Sequence, residues 1–294
     1  MNQREIRLVD AFADQPAGGR PVAVVPGEPP SPTLRAAIAS EFGTSGVVTR
    51  EGDTLTYTDC DGSQAVVSAA VAGYAASEGL DAGSHEFAVD GSIAPPAPFL
   101  VDLDDDGQVR VEVGDCSSEQ TDIDEEAVAD ALGIDPAALR DVGADLPLGQ
   151  VDAFGGTLLA PVNFLQHLTG ATVDSGRLAD LLDTTDAQRL CVFTFDTLNA
   201  EREVHARIFD PLARGDERPA SGVAAAACSA HLAEYSMFDG DRSEIRVESG
   251  FQMDRPATVT ATLDSRPEVS GAALTVLDGT VTLPEDEDDE IIEL

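Results

Sequence analysis

The sequence predicts a mixed chain of strands and helices folded as two similar halves, each wrapped around one helix of small apolar residues. Two stretches carry this reading. Ile208 to Phe238 (IFDPLARGDERPASGVAAAACSAHLAEYSMF) opens as a strand, turns through a loop rich in Asp, Arg and Gly, passes a Pro and runs into a helix. In that helix Ala224 to Ala227, Cys228 and Ala230 leave no polar face, the pattern of a buried helix. Asp61 to Ser77 (DGSQAVVSAAVAGYAAS) repeats the grammar: a strand before it, a Gly, a small-residue helix, and Tyr74 where the later copy has Tyr235. A fixed grammar used twice points to internal duplication. Ser221 stands where its hydroxyl can cap the later helix. The free N–H groups of such a first turn, opening on a Gly-containing loop, suit an anion.

The elements follow in order. Ile6 to Phe12 and Pro21 to Val25 are strands, separated by a Gly18-Gly19 turn able to take positive φ. Ser31 to Phe42 is a helix with Thr33 or Ser31 as cap and Leu34, Ala37, Ile38 and Phe42 on one face. Val47, Val48 and Leu55 to Thr58 form a hairpin leading to the first central helix. Phe87 to Val89, Phe99 to Leu103 and Val109 to Val113 are strands, the last two joined at Asp104-Asp105-Asp106-Gly107. The polar stretch Asp115 to Asp122 reads as a linker. Short helices follow at Asp124 to Leu132 and Pro136 to Arg140, the second capped by Asp135. Val151 to Phe164 is a strand broken at Gly155-Gly156, Ser175 to Leu182 a helix, and Leu190 to Phe195 and Val204 to Phe209 strands. After the second central helix come strands at Glu244 to Val247, Thr258 to Leu263, Ala272 to Leu277 and Thr280 to Leu283. The boundaries expected are an N-terminal unit over 1–115, a C-terminal unit over 123–269, strands within 270–284 and an acidic tail at 285–294.

Among 294 residues, 55 are acidic and 17 basic, a net charge of -38, and every base is Arg. Such a surface argues against nucleic acid and against an anionic membrane. Self-repulsion on this scale destabilises a compact state in dilute buffer, so the composition fits a salt-loaded cytosol. Cys60, Cys116, Cys191 and Cys228 form no C-x-x-C pair, and His85, His167, His205 and His231 show no ligand spacing. Neither a zinc nor a redox motif is signalled, and buried inert thiols are the expectation for Cys60 and Cys228 beside the apolar helices. No signal peptide is expected before Arg4, and no apolar run reaches membrane-spanning length.

Four segments carry a resemblance. They are VDAFADQPAGGRPVAVV at Val9 to Val25, IASEFGTSGVVTR at Ile38 to Arg50, DERPASGVAAA at Asp216 to Ala226, and SGFQMDRPATVTATL at Ser249 to Leu263. In that order they resemble the phenazine-biosynthesis-type isomerases (PhzF-like), relatives of diaminopimelate epimerase. The resemblance implies an α+β fold of two similar domains, each a rolled mixed β-sheet around a central apolar helix, with a cleft between them. It further implies proton transfer on a small carboxylated metabolite without metal or cofactor, final strands crossing back onto the first domain, and a homodimer, as relatives often are.

The catalytic positions depart from the pattern. The acidic residue of the family's S-E-T segment falls on Gly46, the His of its C-G-H-A-T segment on Ser63, and the acid of D-P-A-T-G on Arg218. Proton transfer needs a group that holds and releases a proton near working pH; Gly cannot, Ser does so only when activated, and Arg keeps its proton. Substitute carboxylates are Asp59, Asp61, Asp216 and Glu217. A two-thiol route fails on spacing, since Cys60 does not directly precede Gly62 and no Cys lies between Arg218 and Gly222. What the substitutions add is charge: Arg218 replaces an acid, and Arg20 stands where the family has Asn. With the N–H groups at Gly62–Ser63 and at Ser221, Gly222 and Val223, these guanidinium groups are candidates to bind a small carboxylated or phosphorylated metabolite. The competing expectation is that each Arg pairs with a nearby acid, Arg218 with Asp216 or Glu217 for example. Three functions stay open: an anion-binding relative with weak or no isomerase activity, an isomerase using Asp61 or Glu217, and a non-catalytic structural or interaction homodimer.

Overall fold

One hydrogen-bonding order is used twice along a curled, mixed sheet. The computed structural model describes residues 2–60, 65–77, 80–90, 99–143, 146–185, 187–211, 217–238 and 240–284. In the first pass β1 (Asn2–Ala11) pairs antiparallel with β2 (Arg20–Pro26), and α1 (Pro32–Phe42) crosses over to β3 (Gly46–Glu51), parallel to β2. β4 (Thr54–Asp59) returns antiparallel to β3, and α2 (Val66–Ala75) leads to β5 (Gly83–Asp90), parallel to β4. β6 (Phe99–Leu103) and β7 (Val109–Glu112) follow as antiparallel neighbours.

β8 (Ser118–Gln120) and α3 (Glu125–Leu132) introduce the second pass. There β9 (Gly149–Val151) is antiparallel to β10 (Thr157–Pro161), and α4 (Leu165–Gly170) and α5 (Ser175–Asp183) cross over to β11 (Arg189–Thr194), parallel to β10. β12 (Val204–Phe209) is antiparallel to β11 and carries the short β13 (Glu217–Arg218). α6 (Gly222–Glu234) then leads to β14 (Glu244–Ser249), parallel to β12, with β15 (Ala257–Thr262) and β16 (Glu268–Ser270) antiparallel in turn. The passes join where β16 pairs β7, Val269 opposite Val111. β17 (Ala273–Leu283) runs back antiparallel along the whole of β1, from Ala11 opposite Ala273 to Asn2 opposite Leu283.

Local chemistry sets the helices. Ser31 accepts from the Leu34 N–H and Pro32 opens α1, where the missing proline N–H costs nothing. Ser221 caps α6 by accepting from the Ala224 N–H at 3.2 Å. Every residue of α6 from Gly222 to Leu232 is buried, as is every residue of α2 from Val66 to Tyr74. Both helices belong to one apolar cluster, so their cores run into each other. A second cluster joins α3 and α5 to β10 and β11. No helix among the described residues is long and apolar enough to cross a membrane.

Several expectations need correction. The polar stretch read as a linker contains β8, which pairs with β9; the partner strand rather than any apolar alternation makes it a strand. Pro136 to Leu139 is a single 3-10 turn, although Asp135 caps it as expected. α4 was not foreseen, because six residues are too few to show a helical period. The two last strands are one, continuous through Gly279. Asp61, Gly62, Ser63, Asp216 and the 285–294 tail lie outside the described residues.

Candidate functional site

A cavity of about 250 Å³ opens between the start of β2, the end of α1 and the segment entering α6. That volume suits a small metabolite rather than a bulky one. Arg20, Arg218 and Arg255 line it together with Ser45, Cys60 and Glu217, and Ala36, Ala39, Pro219 and Met253 give it an apolar side. Two arginines singled out in the sequence, Arg20 and Arg218, are therefore brought to one cavity from the two passes of the sheet.

Each is held by its own strand. Arg20 is the first residue of β2 and is 3% exposed; its Nη2 donates to Ser45 Oγ at 2.8 Å. Ser45 precedes β3, and its carbonyl accepts from the Cys60 N–H at 2.9 Å, which fastens the cavity wall across the β3–β4 pair. Arg218 is 8% exposed and lies on β13, opposite Ile208 of β12. Its Nε is 4.0 Å from Asp210 Oδ2.

Behind these residues sits a buried set of charges. Arg189, at the start of β11, donates to the carbonyl of Phe154 at 2.8 Å and to that of Gly156 at 3.3 Å. Burial pulls its pKa down to about 10; nearby Asp210 opposes the drop and nearby Arg20 adds to it. Glu217 takes no part in pairing Arg218. Its two carboxylate oxygens accept from Arg207 Nε at 2.9 Å and Nη2 at 2.8 Å, a bidentate pair. Arg207 also donates to the carbonyls of Leu168 and Ala171. Of the two partners expected for Arg218, Glu217 is held by Arg207 instead, and Asp216 lies outside the described residues; Arg218 also lies beside Asp210.

The remaining sequence candidates fall elsewhere. Gly46 opens β3, and a Cβ there would come within 2.2 Å of the Thr58 carbonyl oxygen and 2.6 Å of the Tyr57 ring. Gly222 begins α6, and a Cβ on it would meet Val67 Cγ1 at 2.4 Å and Phe12 at 3.3 Å. The N-terminal ends of α2 and α6 therefore meet, and apolar side chains close the space at Gly222. Ser221, Gly222 and Val223 do not line the cavity; the Ser221 hydroxyl serves its own helix, and Val223 is buried in the core. Gly62 and Ser63 fall outside the described residues.

A model of the phenazine biosynthesis-like protein family (PhzC-PhzF) matches residues 90–279, more than half of the chain. The chain belongs to this family. The PhzF-family phenazine biosynthesis protein of Bacillus anthracis has a similar structure, with a TM-score of 0.80 and 19% identity over 96% of this chain and 100% of that one. A predicted epimerase of Pseudomonas aeruginosa gives a TM-score of 0.74 and 18% identity, again over 96% and 100%. The PhzF-family protein of Enterococcus faecalis gives 0.68 and 17% with the same coverage. At such identities the likeness speaks to the fold alone, and the fold is the curled α+β one that the PhzF-like segments imply. No curated protein sequence matches the chain.

Sequence reasoning missed Arg255 and misjudged Cys60. Arg255 lies within a segment that carried the PhzF-like resemblance, but nothing in that segment showed which way its side chain turns. Cys60, expected to be an inert buried thiol, is half-buried in the cavity wall. The other three cysteines are buried: burial pushes Cys116 and Cys191 up to about 12, and Cys228 well above its ordinary value.

Proposed function

We propose that this PhzF-family chain binds a small carboxylated or phosphorylated metabolite in the cavity walled by Arg20 and Arg218, with weak or no isomerase activity. One observation carries the reading: three arginines line a single small cavity in a chain whose net charge is -38. Guanidinium groups gathered in a partly buried pocket favour an anion, because its charge is screened there less than in water. The apolar side formed by Ala36, Ala39 and Met253 suits the carbon skeleton of such a ligand.

Weak or absent catalysis follows from the same residues. At position 46 there is no titratable group, and at 218 there is a fixed cation. The isomerase reading that relies on Glu217 loses support, since both of its carboxylate oxygens are taken up by the bidentate Arg207 contact. Asp61 remains as the alternative base. A division into units over 1–115 and 123–269, with β17 laid along the first, is part of the proposal, as is residence in a high-salt cytosol.

The test is thermal unfolding at fixed ionic strength, with chloride exchanged for acetate or for inorganic phosphate. Wild type should be stabilised by several degrees through ligand linkage, and Arg218→Ala should lose the gain. Absence of any anion-specific shift in wild type would overturn the anion-binding reading and leave the isomerase and interaction-protein readings, the latter with a homodimer as its natural form. Deuterium uptake into candidate carboxylic acids in heavy water checks for residual isomerase activity.

A further inference from the structure

We propose that Arg255 is a positioning residue for this anion site: held by Asp10, it grips the Gly18–Gly19 turn and so aims Arg20 into the cavity. The inference rests on the anion-binding reading above and adds a part that the reading does not need. Arg20 is the first residue of β2 and follows the turn directly, so its direction depends on how the turn is held.

The grip comes from the other pass of the sheet. Arg255 Nη2 donates to Asp10 Oδ1 at 2.6 Å and to the Gly18 carbonyl at 2.7 Å, while Nε donates to the Gly19 carbonyl at 2.8 Å. Its neighbour Pro256 accepts from the Gly19 N–H at 3.0 Å. Asp10 is 2% exposed, and its second oxygen accepts from the Ala17 N–H at 2.9 Å, so one carboxylate orders both the guanidinium and the start of the turn. No slack remains for a side chain: a Cβ on Gly18 would lie 2.5 Å from the Pro256 carbonyl oxygen, and one on Gly19 would lie 2.2 Å from that of Ala11.

A planar fork that reaches a carboxylate and two carbonyls at once is work for Arg and not for Lys. The result is a continuous set of contacts from Asp10 through Arg255 and the turn to Arg20 and Ser45. Arg255 also lines the cavity, so its charge and its grip must be tested apart.

Two variants separate them. Arg255→Lys keeps a cation in the wall but cannot span the three acceptors. Asp10→Asn keeps Arg255 and lies outside the cavity lining, but removes the charge that orients it. The readout is the dissociation constant for inorganic phosphate, titrated well below the melting temperature at fixed ionic strength. Asp130→Asn, which breaks the exposed pair with Arg177, serves as a control for loss of an ion pair alone. Both test variants should bind roughly tenfold more weakly, about 1.4 kcal/mol, with the control unchanged. Millimolar guanidinium should restore part of the affinity in Arg255→Ala. Wild-type affinity in folded Arg255→Lys and Asp10→Asn overturns the positioning role. If one of them does not fold, Gly18→Ala, which displaces the turn with Arg255 intact, takes its place under the same criterion. Failure of wild type to bind phosphate or acetate at all overturns the anion-binding reading instead.

Discussion

The ring of Tyr57 occupies the space that a side chain on Gly46 would need: a Cβ there would lie 2.6 Å from the Tyr57 ring and 2.8 Å from its hydroxyl. Gly46 faces Asp59 across the β3–β4 pair, and the Thr58 carbonyl stands closer still. The surroundings therefore leave no room for a side chain at position 46.

Placing at position 46 the carboxylate that the PhzF-like pattern implies should accordingly harm the protein. Gly46→Glu forces a backbone shift as well as a move of Tyr57, at a cost of at least about 2 kcal/mol. Calorimetry in molar salt should show the melting temperature fall by about 3 °C or more for a chain of this size. A variant as stable as wild type would refute the packing argument.

The contact between Gly222 and Val67 leads to a second expectation. Gly222→Ala gains helix propensity worth under about 1 kcal/mol, but its methyl group meets Val67 Cγ1 at 2.4 Å where α2 and α6 abut. Overpacking should win, with a net loss of about 1–2 kcal/mol. Adding Val67→Ala should return part of it, and a coupling energy below about 0.5 kcal/mol in the double-mutant cycle would show that the helix ends do not press on each other.

His231 makes stability depend on pH. It is fully buried, with Ser118 Oγ donating to Nδ1 at 2.7 Å and Nε2 donating to the Pro147 carbonyl at 3.1 Å. Burial pulls its pKa from 6.5 to about 4, although the Pro147 carbonyl opposes the shift. Between those values the unfolded chain binds a proton that the folded chain refuses. The contribution is full above pH 6.5, declines as the pH falls, and is lost by about pH 4, for roughly 3 kcal/mol in all. Denaturant titrations from pH 7 to pH 4 should show a shallower decline in His231→Gln than in wild type. Parallel declines would exclude the effect.

Salt should act in one direction. With a net charge of -38, repulsion spreads over the surface, and shortening the Debye length from about 10 Å at 0.1 M to about 3 Å at 1 M screens it. The melting temperature should climb steadily with potassium chloride, and the chain should unfold when salt is dialysed away. A melting curve indifferent to salt would reject the reading of the composition.

What could be read in advance follows from range. The two central helices were legible because a run such as Ala224 to Ala227 has no polar face at any register, so burial is its only stable outcome. The caps Ser31, Asp135 and Ser221 were legible because each acts within three residues of itself. β8 and α4 were not, because a three-residue strand exists only through its partner and a six-residue helix shows no period.

The sequence by itself determined the duplicated α+β plan, the excess of acidic residues and the presence of Gly at position 46 and Arg at position 218, since these are properties of residue type and spacing. Only the tertiary structure decided that Arg20, Arg218 and Arg255 share one cavity, that Arg207 rather than Arg218 holds Glu217, and that Gly222 is sealed by Val67. Such contacts join residues far apart in the chain. A long guanidinium side chain reaches several carboxylates equally well until packing fixes its direction.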